Sequence, residues 1–95
     1  MNKGDSMRAV ISVVGKDRPG ILAFVSGYCA ERNINIVDVT QKVLQDLFTM
    51  IMIADFPLDA GHFQETADDL ENRGIEQGLK IHVMHEDIFN AMHRI

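Results

Sequence analysis

The chain has 95 residues, 46% hydrophobic and 24% charged, a balance that makes one small globular domain with one modest core. Its net charge of −5 argues against a general nucleic-acid binder or a protein that coats anionic membranes. No apolar run is long enough to span a bilayer, and the polar start Met1–Ser6 lacks a signal-peptide pattern, so a cytoplasmic location is expected. The lone Cys29 rules out an internal disulfide and fits a reducing compartment. Residues 1–6 read as a loose tail, with Met7 an alternative start, and 7–95 as a single domain.

Strand one is expected over Met7–Val14, with Ala9, Ile11 and Val13 on one face. Helix one follows over about Pro19–Arg32, where Ile21, Phe24, Val25, Tyr28 and Cys29 form one apolar stripe. Asn33 suits a left-handed stop. Strand two runs from Asn35 to about Leu44, Gln45-Asp46 makes a tight turn, and strand three runs from Leu47 to about Phe56, so the two form an antiparallel hairpin. Pro57 ends that strand. Helix two is expected to start at an Asp59 N-cap with a Leu58–Phe63 staple, to bury Phe63, Ala67 and Leu70, and to stop at Gly74. Strand four spans about Leu79–His85, and a last helical turn over Asp87–Arg94 offers Ile88, Phe89 and Met92 for packing.

The order βαββαβ is the ferredoxin-like α+β plan, with two helices on one face of a four-stranded antiparallel sheet and strands one and three central. Strand three is apolar on both faces, yet helices cover only one. The other face, carrying either Met50 and Met52 or Thr49, Ile51 and Ile53, needs a cover from the C-terminal segment or from a second subunit. A homodimer is the expected solution.

The stretch Gly15-Lys16-Asp17-Arg18-Pro19-Gly20-Ile21 joins strand one to helix one. Gly15 permits a sharp turn at the strand end, and Pro19 suits the first helical turn, where its missing N–H costs nothing. The free N–H groups of that helix then point into the turn beside Lys16 and Arg18, an arrangement that holds a carboxylate or a phosphate. The same residues also fit an ordinary strand-to-helix turn. There is neither a Walker pattern nor a G-x-G-x-x-G.

This loop resembles the first loop of ACT domains, small amino-acid-sensing regulatory modules, and Asn33-Ile34-Asn35-Ile36 matches the way those domains begin strand two. The likeness runs from Met7 to about Met84. It is strongest to stand-alone single-ACT-domain proteins, and extends to the N-terminal ACT domains of formyltetrahydrofolate deformylase and of the glycine-cleavage transcriptional repressor. The resemblance implies side-by-side pairing into an eight-stranded sheet and an amino-acid ligand near the first loop, between two domains. By position the ligand-binding residues are Asp17, Arg18, Pro19, Gly20 and Ile21 of the loop, with Asn35 and Ile36 of strand two. Backbone N–H groups around Gly20 and Ile21 would take the carboxylate, and Asp17 or the Asn35 amide the ammonium, since neither charge is desolvated unpaired. ACT domains are usually appended to an enzyme or a DNA-binding unit; this chain has room for neither, so its output is expected to reach a separate protein partner.

Each residue also has a plainer role. Asp17 fits a helix cap, Arg18 a solvated surface cation, and Asn35 a strand start. Cys29 lies in the helical stripe and reads as a buried, inert thiol. His82 and His85 point to opposite faces of a strand, so no metal set forms, and His62 and His93 read as surface residues. Asp68, Asp69 and Glu71 read as a solvated helix face. No nucleophile, base and orienting group come together, so no catalytic residues, metal or cofactor are expected and the protein is read as a non-enzyme. The leading function is a regulatory homodimer that binds a small metabolite, an amino acid first, and signals to a partner. The alternative is a ligand-free interaction subunit. An acylphosphatase-like enzyme would have only Arg18 and Asn35 to work with, and RNA binding lacks basic charge and sheet aromatics beyond Phe48.

Overall fold

The computed structural model describes residues 6–57 and 62–92. The elements follow as β1 (Ser6–Lys16), α1 (Ile21–Glu31), β2 (Asn35–Leu44), β3 (Leu47–Pro57), α2 (Phe63–Glu76), β4 (Leu79–His85) and α3 (Glu86–Met92). The four strands form one antiparallel sheet in the order β2-β3-β1-β4, the ferredoxin-like arrangement expected from the order of elements. Strand period sets the two faces. Ala9, Ile11 and Val13 of β1 pair across with Ala54, Met52 and Met50 of β3, and all six are fully buried with Ile21, Val25 and Cys29 of α1 and Leu70 of α2. The apolar methionines of β3 are therefore core, and Thr49, Ile51 and Ile53 belong to the open face.

Local chemistry fixes the ends of α1. Gly20 has φ 94 and ψ −2, the conformation of the third residue of a type II turn with Pro19 before it. The helix begins only at Ile21, so Pro19 stands outside it rather than in its first turn, and Asp17 does not cap it. At the other end Asn33 takes φ 58, and the N–H groups of Ile34 and Asn33 reach the carbonyls of Cys29 and Ala30 at 2.9 and 3.4 Å. These are the paired bonds of a Schellman stop, with Ile34 buried beneath it. The β2–β3 turn places Gln45 at φ 58, the positive value that primed hairpin turns demand.

Two glycines have roles other than those expected. Gly15 lies inside β1, and a Cβ there would meet the Leu79 side chain at 2.7 Å, so it serves close packing at the start of β4 rather than a turn. Gly74 is helical and buried, and α2 ends instead at Gln77 and Gly78, where Gly78 takes φ 76. Helix α2 starts at Phe63 with His62 at its N-cap, and Phe63 stacks edge-on against Phe56 at 5.0 Å. The expected Asp59 cap and Leu58 staple partner lie outside the described residues, as does His93. In α3 only Phe89 of the three expected packing residues is half-buried; Ile88 and Met92 face solvent.

Candidate functional site

The first loop is held at both of its sides. The Asp17 N–H donates to the Asp46 carbonyl at 2.7 Å, which pins the loop to the tip of the β2–β3 hairpin. Arg18 does not stand free to steer an anion. Its guanidinium donates to the Gln77 carbonyl at 2.9 Å and to Gln77 Oε1 at 3.3 Å, closing the loop onto the C-terminus of α2. There a cation also meets the negative end of the helix dipole. Ile21 is buried in the core, so only its backbone is left to face a ligand. No side chain caps the first turn of α1. The loop thus presents backbone N–H groups and the Asp17 carboxylate.

Asn35 and Ile36 are not beside this loop. Asn35 pairs with Asp55, which pairs with Arg8 at the start of β1, whereas the loop follows Lys16 at its end. Eight residues of strand separate the two ends, about 26 Å at the usual rise. Ile36 packs into the core on the helix side, away from the Asn35 side chain. Within one chain the five loop residues come together and the two strand-two residues stay apart from them.

Asn35 lines a different feature. With Ser6, Arg8, Val37, Asp55 and Glu86 it surrounds an open cleft of about 500 Å³. Arg8 donates two hydrogen bonds to the Asp55 carboxylate at 2.9 and 3.2 Å. That bond and the Asp55 charge push the guanidinium further above its ordinary pKa. A β-bulge between Ile36 and Asp38 turns Val37 out at this point. The pattern of β1 and β3 holds a signal for the cleft: Arg8 and Asp55 each interrupt an apolar run, and only the register shows that they face each other.

A second polar cluster lies between the helices. The buried Tyr28 ring is covered by the Arg32 guanidinium at 3.7 Å, and its hydroxyl donates to Asp69 at 2.8 Å. Burial, then that hydrogen bond, push the phenol up to about 12. The Tyr28 hydrogen bond, assisted by Arg73 and Arg32, holds the Asp69 carboxyl below the usual range. The acidic stretch of α2 is thus built in rather than merely solvated, and Glu71 accepts the Val83 N–H on the β4 edge at 2.9 Å. Burial pushes the Cys29 thiol up to about 11, which fits an inert core residue. His82 and His85 stand on opposite faces, and no cluster of potential metal ligands occurs among the described residues. The two aromatics of β3, Phe48 and Phe56, are both buried on the helix side of the sheet.

The sequence profile of the ACT domain matches residues 8–84. The chain belongs to the ACT domain family. A UPF0237 protein of Listeria innocua is 48% identical over 89 residues, covering 94% of this chain and 100% of its own. Among solved structures, an ACT domain protein from Streptococcus pneumoniae superposes with a TM-score of 0.75 at 40% identity over 93% of this chain and 99% of that one. A putative glycine cleavage system transcriptional repressor gives 0.69 at 26% identity over 82% of this chain and 44% of its own. The likeness to repressor-type ACT domains and to single-domain relatives is thereby established. ACT domains are regulatory modules, and the described helices include none long and apolar enough to cross a membrane.

Proposed function

We propose that this ACT domain is a regulatory sensor that binds a small amino acid between two chains, with the first loop from one and Asn35 from the other. The observation that carries the reading is the placement of those two groups at opposite ends of β2. Antiparallel pairing of β2 with the β2 of a second copy lays the Asn35 end of one strand beside the Leu44 end of the other. That end adjoins the loop through the Asp17–Asp46 hydrogen bond. A symmetric pair therefore forms the site twice.

The β2 edge is suited to such pairing. It is ten residues long and carries Val37, Val39 and Val43 at 38–45% exposure. An apolar edge of this length is a template for another strand. The opposite edge, β4, is shorter and has its Val83 N–H occupied by Glu71. In the assembled site the α1 N–H groups at Gly20 and Ile21 receive the ligand carboxylate, and Asp17 with the Asn35 amide receives its ammonium. Arg18 and Ile36 position the loop and strand from behind, and Pro19 shapes the turn. Binding across the contact ties ligand occupancy to association, and the complex is the form that meets a protein partner in the cytoplasm.

Thermal denaturation with each of the twenty amino acids tests this. At 100 times its dissociation constant a ligand adds about 2.7 kcal/mol. In a domain this small that is a shift of roughly ten degrees or more. A shift lost on Asp17→Ala and on Asn35→Ala supports the site. No shift at millimolar concentration favours the ligand-free interaction subunit.

A further inference from the structure

The open face of the sheet is divided by charge along the strands. Strand register sorts its side chains into rows across β2, β3, β1 and β4. The row Lys42–Thr49–Val14–Lys80, with Lys16 beside it, holds every lysine of the described residues, and none of the three ammoniums has an ion-pair partner there. The next row, Thr40–Ile51–Ser12–His82, is centred on the face. Beyond it stand Asp38, the Arg8–Asp55 pair, and Glu86 and Asp87 at the start of α3. In a chain of net charge −5, one half of this face is thus cationic and the other half acidic.

The halves also differ in cover. In the lysine half Val14 is 38% exposed, and Ile51 at its border 40%; in the acidic half Val10, on the same face, is only 4% exposed. Helix α3 packs against β1 and β4 at the acidic end, and turns Ile88 and Met92 to solvent at 55% and 66%. Bare aliphatic surface with lysines lies at one end, and bare aliphatic surface with carboxylates at the other.

We infer that this face binds a second copy of the chain, about a two-fold axis that lies between the two faces and crosses the strands at the Ile51 row. That axis reverses strand direction. The lysine half of each copy meets the acidic half of the other, with Lys80 toward Glu86 and Asp87, and Ile88 and Met92 over Val14 and Ile51. Each contact occurs twice. The other in-plane axis, along the strands, sets lysine on lysine, and like charges at an interface oppose association. On the same axis Lys42 stands opposite Asp38, and Lys16 opposite the Arg8–Asp55 ion pair.

This contact is separate from the β2 edge pairing and does not depend on it: Lys80 lies on the strand farthest from β2. Where both form, their axes are perpendicular and meet near Thr40, in the middle of β2, so the assembly closes as a tetramer.

Sedimentation equilibrium of the full chain, with circular dichroism to confirm folding, tests the inference on wild type, Lys80→Glu, Asp87→Lys, the double variant and Val14→Asp. Each single change is expected to weaken association at least tenfold, and the double charge exchange to restore it. A tetramer reduced to a dimer by Lys80→Glu supports both contacts; a dimer reduced to a monomer supports the face contact and removes the edge pairing. A monomeric wild type, or an assembly whose mass none of these variants moves, overturns the inference and leaves the face to a different protein.

Discussion

Gly74 of α2 and Ile81 of β4 are in such close contact that a Cβ on residue 74 would stand 2.6 Å from Ile81 Cδ1 and 2.8 Å from its Cγ1. The missing side chain lets helix and strand approach. Gly74→Ala should therefore destabilise the fold by about 1–3 kcal/mol despite its better helix propensity. Urea denaturation of Gly74→Ala, Ile81→Val and the double variant checks this. The double variant should recover part of the loss, because the shorter side chain yields room.

Gly27 and Gly20 predict opposite signs for the same change. Gly27 lies in the middle of α1 with open space around it, so Gly27→Ala should stabilise by about 0.5–1 kcal/mol. Gly20 also has open space, but its φ of 94 is costly for an L side chain. Gly20→Ala should lose about 1–2 kcal/mol through backbone strain alone. Thermal denaturation of the two variants side by side separates the causes.

The Tyr28–Asp69 pair predicts the pH dependence of stability at both extremes. The Asp69 pKa is lowered by folding, so its contribution is present above the ordinary carboxylate pKa and is lost as pH falls through the folded value. The Tyr28 pKa is raised to about 12, so the folded state keeps a proton that the unfolded chain gives up from about pH 10. Stability should fall between these values as pH rises. Tyr28→Phe should cost about 1 kcal/mol at neutral pH and flatten both limbs. Denaturant titrations at acid, neutral and alkaline pH provide the comparison.

Arg18 predicts a structural rather than an electrostatic effect. Arg18→Ala should lower stability by about 0.5–1.5 kcal/mol by releasing the Gln77 contact at the α2 terminus. Arg18→Lys should recover less than half, since one ammonium does not span both Gln77 oxygens. Hydrogen exchange at Gln77 and Gly78 reports the loosening.

The fold was legible in the sequence wherever period and turn chemistry agree. Alternation in Ala9–Ile11–Val13, the stripe of Ile21, Val25 and Cys29, and the Gln45-Asp46 turn each report a local preference that the structure keeps. Gly15 and Gly74 were misread because a glycine needed for a neighbour's approach has the same local signature as one needed for a turn. The neighbours, Leu79 and Ile81, are far along the chain. Arg18 was misread for the same reason, its partner Gln77 being 59 residues away. Asp17 to Ile21 are neighbours by chain order alone, whereas that Asn35 lies at the far end of the sheet follows only from strand order and register. The Arg8–Asp55 cleft depends on β1–β3 register and stayed invisible in either strand alone.

The most direct measurement is complementation between two defective chains. Asp17→Ala and Asn35→Ala proteins are titrated by calorimetry, singly and after being unfolded and refolded together, with the amino acid that most stabilises the wild type. Neither variant alone should bind. The mixture should regain binding at about one site for every four chains, because random pairing makes half the dimers mixed and each mixed dimer joins one intact loop to one intact Asn35. A mixture as silent as its parents, or a single variant that still binds, would contradict a site shared between chains.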